Sequence, residues 1–134
     1  RWNGPLDLAR LAEEVEDLGS ERRDAVLSQL RRIMEHLLKL EYSAHDRPRL
    51  GWRRSVVSAR SEIELRLTPT IRLAAADVLP RLYRQARAGA ALALAEHGEA
   101  DAARGLPETC PWSLDQLLDE TWLPANRHGL EDEI

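Results

Sequence analysis

Phenylalanine is absent, and aromatic residues together make up only 4% of the chain. A core without large rings must be filled by Leu, Ile, Val and Ala, which favours close helix packing over an aromatic-lined ligand chamber. Cysteine occurs once, as Cys110. That excludes an internal disulfide framework and fits a reducing cytoplasm, the compartment expected here. No run of eighteen apolar residues exists, and the most apolar stretch, Ala86–Ala95, is broken by Arg87 and Gly89. It does not read as a membrane span, and nothing resembles a signal peptide. Glycines nowhere form a phosphate-cradling loop after a strand, and no strand pattern is evident.

What is present is helical. The chain has 134 residues and suits a single domain over residues 1–134, with residues 1–5 and 125–134 expected to fray. Leu8, Leu11, Val15 and Leu18 recur at three- and four-residue spacing, the period that places side chains on one helical face. A second stripe follows in Val26, Leu30, Ile33, Leu37 and Leu40. Between them Gly19 fits a left-handed helix end and Ser20 a new cap, so the stretch Leu6–Leu40 is expected to form two helices joined by a tight turn. Asp7 is expected to cap the first of them.

Pro48 disfavours helix at Arg47 and marks a loop over Tyr42–Leu50. Helix resumes near Gly51 or Trp52 and runs to about Leu67, with Trp52, Val56, Ala59, Ile63 and Leu67 on its inner face. Thr68-Pro69 then reads as a cap followed by proline at the first helical position. The following helix reaches Glu96 or His97, with a kink or tight break at Pro80, and ends at Gly98. Beyond it, one turn is expected at Ala100–Arg104. Ser113 and Gln116 then form a capping box, stapled by Trp112 and Leu117, that starts a short helix. The fold class is therefore all-α, a compact bundle of four to five helices.

Net charge is −4 and uneven: residues 1–20 carry −3, residues 21–87 carry +7, and residues 88–134 carry −8. The basic middle meets either the acidic ends of its own chain or an acidic partner.

Candidate chemistry is sparse. Glu14 and His36 border the inner stripes of the first two expected helices, and Arg60 is a further polar group for the same junction. A carboxylate that orients a histidine can support acid–base work, so a small acid–base or metal-assisted enzyme centred on Glu14 and His36 is one reading. The Glu-x-x-His spacing of a di-iron bundle is missing, because Ile33 and Leu94 stand three residues before His36 and His97. Neither metal nor cofactor is therefore expected. Cys110, in Thr-Cys-Pro-Trp, has no second cysteine for redox pairing and reads as a packed contact leading into Trp112. Arg47, Arg49, Arg53 and Arg54 form the strongest basic run, with Trp52 embedded in it, and furnish a nucleic-acid reading. The net acidity of the chain opposes that reading.

Four segments in this order, LAEEVEDLG, HLLKL, the helix start from Trp52 to Arg60, and LPETCPW, resemble the bacterial family called domain of unknown function 29. The resemblance spans Leu6 to Pro124. Glu96-His97-Gly98 departs from the usual Glu-Thr-Gly, and Pro69-Thr70-Ile71 from the usual Pro-Ser-Leu. The resemblance implies a small all-helical protein with a further amphipathic helix ahead of the first one here, and so an amino-terminal helix missing from this bundle. It implies no biochemical role. The leading expectation is a non-enzymatic protein that works through protein partners or self-association, without a membrane or nucleic acid.

Overall fold

Five helices follow one another in the computed structural model, which describes residues 5–131, with side chains from Asp7 onward. Three are long: α1 (Pro5–Tyr42), α2 (Arg49–Arg66) and α3 (Pro69–Glu96). Two are single turns, α4 (Ala100–Arg104) and α5 (Leu114–Leu118), and no strand occurs among the described residues. No described helix is long and apolar enough to cross a membrane.

The first helix corrects the sequence reading. The turn at Gly19-Ser20 does not form, and α1 runs unbroken through it. A lone glycine costs a helix roughly 1 kcal/mol relative to alanine, whereas a break would strip the backbone partners from two new helix ends. Strong helix formers on both sides settle the balance. Gly19 has no positive φ; among the described residues only Gly98 and Gly129 do. The Ser20 hydroxyl accepts from the Arg23 guanidinium at 3.1 Å instead of capping a backbone amide. Asp7 likewise is not a cap: α1 begins at Pro5 and Asp7 lies in its first turn, where a carboxylate suits the helix dipole.

The carboxyl-terminal half of α1 is the axis of the bundle. Val26, Leu30, Ile33, Met34, Leu37 and Leu38 are all buried there. Helices α2 and α3 pack against it rather than extensively against each other. From α2 come Val56, Ala59 and Ile63, on the face read from the sequence. From α3 come Leu82, Tyr83, Ala86, Ala90 and Leu94, where alanines let the two backbones approach. At this crossing a Cβ added to Gly89 would displace the Glu35 carboxylate of α1, the movable end of a flexible side chain.

The boundary chemistry follows the local signals. The Thr68 hydroxyl accepts from the Ile71 amide at 3.1 Å, with Pro69 opening α3. Pro80 causes no break, because it lies on the exposed face, where the carbonyl that loses its donor meets water. At the other end Gly98, at φ +81°, completes a Schellman motif: the Glu99 amide reaches Leu94 O at 2.8 Å and the Gly98 amide reaches Ala95 O at 3.2 Å. Ser113 and Gln116 form the capping box of α5, and Trp112 and Leu117 are both buried beside it.

The acidic carboxyl-terminal segment folds over the basic middle of its own chain. Arg72 of α3 pairs with Asp115; a second pair, Arg127 with Glu41 at 3.0 Å, joins the same two segments with the charges reversed. Within the stretch expected to fray from residue 125, Asn126 Nδ2 donates to Leu40 O and Ser43 O, both at 2.8 Å, at the end of α1. Residues 1–4 and 132–134, also expected to fray, lie outside the described residues.

Candidate functional site

The polar cluster of Glu14, His36 and Arg60 does not assemble. With α1 continuous, Glu14 and His36 lie on one helix, about 33 Å apart at a rise of 1.5 Å per residue. Glu14 is exposed. His36 is partly buried, with Nδ1 2.8 Å from Arg32 O of its own helix, and loss of solvent pushes its pKa below the usual histidine value.

Arg60 is buried elsewhere, only 6% exposed, and has a structural task. Its guanidinium donates to Leu117 O at 2.8 Å, Trp122 O at 2.8 Å and Gln116 O at 3.3 Å. A planar fork of five donors suits this, because it gathers two carbonyls of α5 and that of Trp122 beyond it and ties them to α2. Arg87 and Tyr83 of α3 do the same further up the tail, at Pro107. Pro107 O accepts from the Tyr83 hydroxyl at 2.6 Å and from Arg87 Nε at 2.9 Å. Burial raises the Tyr83 phenol to about 12. The Cys110 thiol, 3.4 Å from Trp112 O, is likewise pushed up by burial, which disfavours its reactive thiolate.

The basic run does not present one face. Arg47 and Arg54 are exposed, but Arg49 is 4% exposed and donates to Leu40 O at 2.7 Å across the α1–α2 loop. Arg53 is partly buried. Arg49 therefore closes a loop, while Arg47 and Arg54 face solvent.

A polar cluster that sequence reasoning missed lies where α1 and α2 meet the end of α3. A cavity of about 300 Å³ is lined by Lys39, His45, Trp52, His97 and Glu99, among others. Glu99 accepts from Ser43 Oγ and from the Ala44 amide, both at 2.7 Å, and lies 3.8 Å from His45 Nδ1. Its carboxylate is thus spent on fastening the α1–α2 loop to α3. Lys39 Nζ lies 3.8 Å from Glu35. Among the described residues no group of three or more His, Cys, Asp or Glu side chains is placed to hold a metal ion.

The largest feature left over is the amino-terminal half of α1. Burial starts at Val26; the preceding residues from Leu8 onward are exposed, save for partly covered Ser20 and Ala25. The apolar stripe read from the sequence is there, but no other described part of the chain covers it; the start of α3 only borders Val15 and Leu18. Leu8 is 57% exposed, Leu11 56%, Val15 62% and Leu18 66%. Their spacing of three, four and three residues is that of alternating a and d positions in a coiled-coil seam. At the root of this arm Leu18 and Arg22 share a groove with Leu65 and Arg66 of α2, and Leu65 is itself exposed. The stripe could be found from periodicity. Its lack of an internal partner could not, since a seam reads the same whichever chain covers it.

No curated protein and no solved structure matches the chain. A family model matches residues 3–123, which include the arm, the three long helices and the clamped tail as far as Leu123. On that match the chain belongs to the family described as Domain of unknown function DUF29.

Proposed function

We propose that the protein is a non-enzymatic helical module that docks another helix on the exposed seam of α1. The observation that carries this reading is the row Leu8, Leu11, Val15 and Leu18, each with more than half of its surface in water on a single face. Monomeric proteins scatter exposed apolar residues singly, and a contiguous stripe of large ones marks a contact surface. The opposite pattern holds at the polar clusters, where Arg60, Arg49 and Glu99 are each occupied in fastening one segment to another.

Covering each seam side chain is worth about 1 kcal/mol at ~25 cal/mol per Å² of apolar surface, and so about 4 kcal/mol for the row. Association alone costs on the order of 4 kcal/mol or more. The seam therefore sets position and register, and useful affinity requires further contacts beside it, such as the apolar root at Leu65.

Selection from a displayed library of amphipathic helical peptides tests the proposal. It predicts binders that compete with one another and are lost against a Leu11→Asp, Val15→Asp double variant of unchanged melting temperature. Recovery of no binders, or of binders that hold the variant equally well, contradicts it.

A further inference from the structure

The partner's chemistry is written on the flanks of the seam. Residues 7–21 contain six acidic side chains and one basic one, Arg10. In the register set by Leu8, Leu11, Val15 and Leu18, Glu14 and Glu21 fall at the flanking g positions and are exposed. The other flank holds Ala12 and Gly19, both exposed and too small to keep a neighbouring backbone away. An added Cβ at Gly19 meets nothing within 4 Å, so the space beside it is open. One side of the groove therefore offers carboxylates and the other offers close approach.

Beside the amino-terminal helix that the resemblance implies, two occupants satisfy the apolar seam: the same arm of a second copy, or a helix from a different protein. Charge separates these two. Pairing two arms places the net charge of −3 carried by Leu8–Asp24 (six acidic, three basic) against an equal charge, and an antiparallel pair sets Glu14 against Glu14. Of the chain's own basic middle, Arg60, Arg72 and Arg87 are committed to the carboxyl-terminal segment.

We infer that the seam receives a basic amphipathic helix of a partner protein, with Leu-like residues at its a and d positions and Lys or Arg facing Glu14 and Glu21. This rests on the docking role proposed above and names the partner's chemistry. The helix needs only two to three heptads, because the exposed arm from Leu8 to Asp24 is about 26 Å long at the α-helical rise. Its basic flanks supply attraction and orientation that the apolar row alone lacks.

The test uses the 134-residue chain and two synthetic 21-residue helical peptides with Leu at every a and d position, one with Lys and one with Glu at e and g. Binding is followed by fluorescence anisotropy of labelled peptide, and the chain's own association by sedimentation velocity. The Lys peptide is expected to bind at least tenfold more tightly than the Glu peptide, with an affinity that weakens several-fold between 50 and 300 mM salt. Leu11→Asp with Val15→Asp abolishes that binding, and Glu14→Lys with Glu21→Lys reverses the peptide preference. Equal binding of both peptides, or none by the Lys peptide, overturns the basic partner. A dimer that Leu11→Asp with Val15→Asp converts to monomer also overturns it in favour of a second copy, and leaves the docking role standing. Only failure of the display selection removes both.

Discussion

Replacing Arg60 by Met is the sharpest perturbation of the clamp that holds the tail. Methionine keeps an apolar stem of similar length in the buried position and removes the three hydrogen bonds to Leu117 O, Trp122 O and Gln116 O. A hydrogen bond from a charged donor is worth roughly 1.5–3 kcal/mol net, so three at the low end sum to about 4.5 kcal/mol. Burial opposes that sum, since desolvation lowers the Arg60 pKa from its ordinary value, and Met escapes this cost. The expected loss is therefore about 3 kcal/mol, a large share of the 5–15 kcal/mol typical of a domain. Urea unfolding followed by far-UV circular dichroism and by Trp fluorescence reads it, because Trp112 and Trp122 lie in the segment that Arg60 holds. Lys at position 60 should recover only part of the loss, since one ammonium cannot serve three carbonyls in a plane. A Met variant within about 0.5 kcal/mol of the parent would refute the clamp.

Glu99→Ala should cost about 2–3 kcal/mol in the same assay, because the Ser43 hydroxyl and the Ala44 amide both lose an ionised acceptor. Tyr83 predicts an alkaline limb: its phenol is raised from 10.0 to about 12, so the contribution is complete below pH 10 and is lost as pH climbs toward 12. Tyr83→Phe should flatten that limb in pH-dependent melting while costing about 1 kcal/mol at neutral pH, since Arg87 still serves Pro107 O. Gly19→Ala should slow amide exchange around residues 15–19 by up to about fivefold, the value of 1 kcal/mol of helix propensity. A tight turn at Gly19 predicts the opposite, because alanine is strained at a left-handed position.

How much of this was legible depends on where each signal resides. Thr68-Pro69, Ser113 with Gln116, and Gly98 were readable because their partners lie within a few residues, and the inner face of α2 because its period is uninterrupted. Gly19 misled because a local terminator was weighed without the long helical runs on either side. Arg49, Arg60 and Glu99 could not be placed, since an Arg that serves carbonyls 57 residues away looks like any other surface Arg until the chain closes. The grouping of Glu14 with His36 failed for the reason Gly19 misled: it required the two halves of α1 to fold back on each other.

Hydrogen–deuterium exchange of the α1 amides, with and without the Lys-flanked peptide, tests the docking seam most directly. In the free protein, amides 8–18 should exchange at least about a hundredfold faster than amides 30–40, which sit in the packed half of the same helix. With peptide bound, amides 8–18 should slow while amides 30–40 stay as they were. Equal protection of the two halves in the free chain, or an arm indifferent to the peptide, would contradict the account.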